Sequence, residues 1–320
     1  MTLSLDAPEP VGPRSSGELL SDALELLRAH FRPIYSFALP FCVVDLFLHE
    51  AANAFAARGA KLNAGSPELA AVIAMLPSLA AAVALMVMSF VTLQLLHTGV
   101  VAVAARAWNR GAPDRRAAWT GVRRSGLRMV ATGMLFWMVT GVAAVAGLAV
   151  CGIPAGGIAL VFGLDATLPI AVGAAGSGFV VIVVVLIWYL YSPILVVEGL
   201  WFGGALKRSY ELMRSRGLPF LRAPKWRLSV VLLVAFGLSS VLQGLFIAPR
   251  WLIASAGGED GIPALSEMPL WFMVLFGFLE VLTNALVVPF SSVLVTLFYL
   301  DLRLRVEGLE PATPDPEGRA

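Results

Sequence analysis

Between Arg128 and Glu198 the chain carries a single charged side chain, Asp165, and from Phe179 to Trp188 every residue is apolar. A stretch of this kind suits a helix in hydrocarbon, because a helix satisfies its own backbone polar groups without water. About 20 residues are enough to cross the apolar layer. Six stretches reach that length, at about 34–56, 79–102, 129–150, 170–197, 228–248 and 270–300. Composition agrees: 58% of residues are apolar and 14% charged, whereas soluble domains average about half and a quarter. The expected fold is therefore all-α, a polytopic helical membrane protein with six transmembrane helices in one domain over 15–306. A mobile N-terminal segment (1–14) and a mobile Pro- and Glu-rich tail (307–320) flank it. Pro77 is expected to divide an outer turn from the second span proper.

Basic residues set the orientation, since Lys and Arg are retained on the cytoplasmic side. Three precede the first span, seven fall between the second and third, seven between the fourth and fifth, and three follow the sixth. Arg58, Lys61 and Arg250 alone occupy the alternate connectors. Six spans with both termini cytoplasmic place 20 of the 23 basic residues inside, and a seventh span through 153–168 would destroy that asymmetry.

Three basic-side segments read as amphipathic helices lying along the cytoplasmic interface. Ser15 and Glu18 have capping-box spacing before an apolar stripe of Leu19, Ala23, Leu27 and Phe31, and the chain is expected to turn into the membrane at Pro33. A second helix starts near Asp114 with Arg115, Arg116, Arg123 and Arg124, and a third near Gly204 with Lys207, Arg208 and Arg214. Each precedes a pair of spans, which suggests three copies of one unit. Their basic faces imply membrane lipids as partners, with anionic head groups at the cytoplasmic face, and leave room for a protein partner. Nothing in the pattern implies nucleic acid.

Ionisable groups inside a span are costly and face the bundle interior. Of the carboxyls inside the spans, Asp45 and Glu280 are the two that matter, nearest mid-membrane. His49 follows Asp45 by four residues and Asn284 follows Glu280 by four, which puts each pair on one helical face. With His97 they form a candidate intramembrane polar site, either a packing cluster or a proton or cation path. Cys151-Gly152-Ile153-Pro154-Ala155-Gly156-Gly157 is expected to open a loop that packs outside the bundle or dips back into it. Ala143, Gly147 and Cys151 form a small-residue seam for close helix approach.

Enzymatic signatures fail on inspection. His49-Glu50-Ala51-Ala52-Asn53 has Asn where a zinc-protease pattern needs its second His, and Gly176-Ser177-Gly178 has no histidine on the last span to activate it. No catalytic residue, metal site or cofactor is expected.

Two segments carry a resemblance. They are Val197-Glu198-Gly199 with Ala205-Leu206-Lys207-Arg208-Ser209-Tyr210-Glu211-Leu212, and Tyr299-Leu300-Asp301-Leu302-Arg303-Leu304-Arg305-Val306-Glu307-Gly308. The pattern resembles a group of bacterial six-span membrane proteins related to the membrane domain carried by some glycerophosphodiester phosphodiesterases. The resemblance implies a multi-pass protein of the bacterial inner membrane and carries over no activity, since the phosphodiesterase barrel is absent. Physically, Glu198, Arg208, Asp301, Arg303 and Arg305 read as a charge motif pairing helix ends at the cytoplasmic boundary. The expected function is a non-enzymatic scaffold or accessory component of envelope or lipid-related machinery. The alternative is a transporter or channel for a lipid, small solute or ion that uses the intramembrane carboxylates.

Overall fold

The computed structural model describes residues 14–63, 69–109, 111, 113–162, 165, 167–214, 224–255 and 270–307. The described residues form helices: α1 (Ser16–Ala29), α2 (Phe31–Asn63), α3 (Leu69–Trp108), α4 (Arg115–Phe162), α5 (Thr167–Trp188), α6 (Tyr191–Val197), α7 (Phe202–Met213), α8 (Pro224–Ser255) and α9 (Leu270–Glu307). Six runs are long and apolar enough to cross a membrane: Phe31–Ala56, Ile73–Trp108, Arg115–Phe162, Pro169–Val197, Pro224–Leu242 and Val274–Glu307. Among the described residues the protein is thus all-helical, and by length and composition it is a multi-pass membrane protein. Leu160, Phe162, Ile170 and Phe236 stand exposed on its outer surface, as expected where the neighbouring solvent is lipid tails.

The last helix is the axis of the bundle. Residues 292–302 are buried without interruption, so α9 is enclosed on all sides there, and it touches α1, α2, α3, α6, α7 and α8. Around it stand the hairpin of α2 and α3 and the shorter partner α8. The pair α4 and α5 forms a second hairpin whose far end projects: Leu160 is 86% exposed. Its two helices approach through glycine. A Cβ on Gly147 would lie 2.9 Å from Ser177 Cα, and one on Gly176 would meet Cys151 Sγ. Gly147 and Cys151 of the small-residue seam are thereby placed against Gly176 and Ser177 of α5.

Prolines punctuate the chain differently from the sequence expectation. Pro77 and Pro154 both lie inside continuous helices, so neither the outer turn before span two nor the loop opened by Cys151 forms. The helix through Pro154 persists because its small face keeps packing: a Cβ on Gly152 would be 3.5 Å from Gly173 Cα. Membrane helices tolerate such prolines when neighbours cover the freed carbonyl. The real interruption lies in span four, where Tyr189 and Leu190 separate α5 from α6. Pro193 explains it, since it lacks an N–H for the Tyr189 carbonyl and its ring crowds that group. Nearby, the Ile187 carbonyl accepts from Ser209 Oγ of α7 at 2.7 Å.

The capping box opens α1, with Ser15 Oγ accepting the Glu18 N–H at 3.2 Å and Glu18 accepting the Ser15 N–H at 2.5 Å. The buried stripe Leu19, Ala23 and Leu27 is covered by protein, since α1 packs on α9, α2 and α8. The chain turns at His30, one turn before Pro33. Separate short helices precede the first and third pairs of spans, whereas the second basic segment is the beginning of α4 itself, capped by Asp114 Oδ1 accepting the Ala117 N–H at 2.8 Å. The threefold unit is therefore uneven. Of the flanking segments, residues 1–13 and 308–320 lie outside the described residues. Arg14 and Glu307, counted with those segments in the sequence, are held in the bundle.

Candidate functional site

Contacts among helix ends gather the charges at one end of the bundle in two neighbouring clusters. The first is centred on Asp301, which has no exposed surface. Its Oδ2 accepts from Arg227 Nη1 at 2.9 Å and from Arg305 Nε, one turn along α9, at 2.8 Å. Its Oδ1 accepts the backbone N–H of Arg14 at 2.8 Å. The Arg14 carbonyl in turn accepts from Arg227 Nη2 at 2.6 Å and Arg305 Nη2 at 2.5 Å. One residue ahead of α1 is thus held by its backbone N–H and its C=O at once, and the Arg14 side chain pairs with Asp22 and lies 4.7 Å over the Trp108 ring. This cluster joins α1, α3, α8 and α9.

The second cluster joins α6, α7 and α9. Glu198 accepts from Tyr299 Oη at 2.6 Å and from Arg208 Nε at 3.3 Å on each oxygen. Arg303 Nε lies 3.7 Å from Glu198 and donates to Glu307 at 3.1 Å, while Arg208 also pairs with Glu307. Two carboxylates and two guanidiniums alternate, so the cluster is neutral. Gly199 makes the turn that follows, with φ +68°, a conformation that favours glycine. Its carbonyl accepts from Arg128 Nη1 of α4 at 2.7 Å, and Arg128 stacks 5.0 Å over Trp201.

All five residues of the charge motif therefore take part, Glu198, Arg208 and Arg303 in one cluster and Asp301 and Arg305 in the other. Arg14 and Arg227 entered the sequence reading only as topology charges. The available signal for Arg227 is its place in the first turn of an apolar span, just ahead of Leu228. Tyr299 had one too, standing four residues before Arg303 and so on the same helical face.

The intramembrane candidates lie at two levels. Asp45 is buried and accepts from Ser89 Oγ of α3. Leu46 Cδ2 lies 3.3 Å from where a side chain at Gly277 would begin, which brings the turns bearing Asp45 and Glu280 to the same height. Glu280 and Asn284 are half-buried and His49 is exposed. His97 sits eight residues beyond Ser89 on α3, about 12 Å nearer the charge-rich end at 1.5 Å per residue. There its Nδ1 is 2.5 Å from Ser292 Oγ of α9, and Ser292 lies about 18 Å along α9 from Glu280. The candidate polar residues are thus divided: Asp45, bonded to Ser89, lies level with Glu280, whereas His97 lies with Ser292 nearer the charge-rich end.

A cavity of about 240 Å³ adjoins His97 where α5 gives way to α6. Gln94, Tyr189, Tyr191, Ser192 and Ser291 contribute polar atoms to it, and Phe90, Phe136 and Trp137 contribute rings; neither Asp45 nor Glu280 lines it. Gly133 permits this arrangement, since a Cβ there would come within 2.9 Å of the Gln94 amide. Among the described residues no three His, Cys, Asp or Glu side chains converge as metal ligands do.

Comparison of the chain with protein-family models, curated sequences and solved structures gave no match.

Proposed function

We infer that the protein is a non-enzymatic scaffold or accessory component of envelope or lipid-related machinery in a bacterial inner membrane, with both ends of the chain in the cytoplasm. The observation that carries this reading is the pair of interlocked charge clusters. They fasten the ends of α1, α3, α6, α7, α8 and α9 to one another, which makes a stiff platform. Removing one partner from a buried ion pair leaves an uncompensated charge, so such a platform resists the rocking that alternating access demands.

Beside the platform, Arg115, Arg116, Arg123 and Arg124 stand exposed on the first turns of α4 with Trp119. Each basic residue near an anionic leaflet is worth about 1 kcal/mol, so this flank seats the face on acidic head groups. The platform itself is the contact surface for a protein partner. Asp45 and Glu280 keep a transport reading alive by being at one level inside the bundle, but the cavity at His97 is lined by neither of them.

Photo-crosslinking in native membranes tests the reading. A photoreactive residue at Lys207, whose side chain is 79% exposed, is expected to give a discrete protein adduct, and one at Leu160 to give lipid adducts only. Lipid adducts alone at both positions would sink the scaffold reading.

A further inference from the structure

The cavity at the α5–α6 break has a hydrogen-bonding character that can be worked out atom by atom. Ser292 Oγ donates its single proton to the Val288 carbonyl at 2.7 Å. With that proton committed, we assign the 2.5 Å contact to donation by the His97 Nδ1–H. In this neutral tautomer the other ring nitrogen, Nε2, is an acceptor. Ser291 Oγ likewise spends its proton on the carbonyls of Val287 and Val288, 3.0 Å away each, and offers lone pairs only. Donors come from Gln94, one turn before His97 on α3, and from the α5–α6 break. Gln94 Oε1 is 3.4 Å from Tyr191 Oη, while among the described residues no protein group is bonded to the Gln94 amide N–H₂ or to the Tyr189 hydroxyl.

The lining therefore presents acceptors and donors together, no carboxylate, Lys or Arg, and the rings of Phe90, Phe136 and Trp137, of which Trp137 reaches the outer surface. Buried polar groups are normally satisfied, and these have unfilled capacity around an open space. A volume of 240 Å³ is worth on the order of eight waters at about 30 Å³ each, enough for a head group and its first methylenes. A carboxylate or phosphate would meet no cation there. A hydroxyl, which donates and accepts at once, matches His97 Nε2 and the Gln94 amide simultaneously.

We propose that this cavity is a binding site for a neutral, hydroxyl-bearing amphiphile, whose alcohol head group sits between His97 and Gln94 and whose apolar body leaves past Trp137. The site stands apart from the charge-rich contact face, so either assignment can fail without the other.

The full-length protein in an amine-oxide detergent, which has no hydroxyl of its own, is titrated with 1,2-dioctanoylglycerol and followed by native mass spectrometry. The comparison probe is the same glyceride acetylated on its free hydroxyl. The expected result is a saturating one-to-one complex with the alcohol and binding about tenfold weaker for the acetylated probe, the scale of one hydrogen bond to a buried polar group. Ser291→Leu and Ser192→Leu each fill the cavity while leaving His97 and Ser292 in place, and either one that keeps wild-type thermal stability is expected to lose the complex. Equal affinity for the two probes, no saturable complex with the alcohol, or full binding by a stably folded filled variant would each overturn the proposal.

Discussion

Replacing Asp301 with Asn keeps the side chain's size and removes the one negative charge that Arg227 and Arg305 share. The native carboxylate has no exposed surface and accepts three hydrogen bonds of 2.8 to 2.9 Å. Breaking a buried ion pair from one side costs about 3–5 kcal/mol. Two features set the value at the lower end: the Arg14 carbonyl still accepts from both guanidiniums, and Asn retains one acceptor oxygen. A loss of about 3 kcal/mol is expected for Asp301→Asn. Arg227→Met is milder, about 1–3 kcal/mol, because Arg305 and the Arg14 amide still neutralise and bond the carboxylate. The double variant should cost less than the two singles together by at least about 1 kcal/mol, since both changes act on one network. Lys207→Ala supplies the internal control: its partner Glu211 is 3.9 Å away with both side chains exposed, so a change under about 0.5 kcal/mol is expected. Equilibrium unfolding in mixed micelles, driven by a denaturing detergent and followed by helical circular dichroism, measures all four. The reasoning is refuted if Asp301→Asn is as mild as the Lys207 control, or if the Asp301 and Arg227 effects simply add.

Three further outcomes follow from the same structure. Gly147→Val should lower stability by about 1–3 kcal/mol, because the added carbons meet Ser177 Cα at 2.9 Å and the Gly176 carbonyl at 3.0 Å, backbone that cannot step aside; unfolding of the single variant tests this. Gly199→Ala should cost about 1–2 kcal/mol from the left-handed backbone alone, with φ +68° and ample room for the methyl group, and Gly203→Ala, within a helix, should not. The Ser15 amide, and then its hydroxyl, holds the Glu18 carboxyl below its ordinary range against a smaller opposing effect of burial. That stabilisation is complete above the ordinary carboxylate pKa and disappears as pH falls through the lowered native value. The stability difference between wild type and Glu18→Ala should therefore shrink in acid and stay constant above pH ~6; a difference independent of pH throughout would count against the capping box.

The spans were legible because their signal is local: each needs only its own run of apolar residues. The capping box at Ser15 was legible for the same reason. Proline was harder, since what a membrane helix does at proline depends on its neighbour. Pro154 continues its helix where glycines of α5 lie close, and Pro193 ends one where Ser209 stands ready to take the Ile187 carbonyl. The charge motif could be read in part. Glu198, Arg208, Asp301, Arg303 and Arg305 advertise themselves at helix ends, but Arg14 joins Asp301 through its backbone, a bond that no side-chain pattern records. Asp45, His97 and Glu280 share intramembrane polarity in the sequence, yet helical rise sets His97 at a different height. His97 was legible as an intramembrane polar residue, but the cavity beside it was not, because it is formed by four helices and a break.

Flux across a membrane tests the central claim most directly. The protein is reconstituted into sealed liposomes with an imposed proton and potassium gradient, and its leak is compared with that of Glu280→Gln and of protein-free vesicles. The account predicts that all three dissipate the gradient at the same rate, as a stiff bundle fastened by Asp301 and Glu198 should. A saturable flux in the wild type that vanishes in Glu280→Gln would contradict it and make the intramembrane carboxyls the working site.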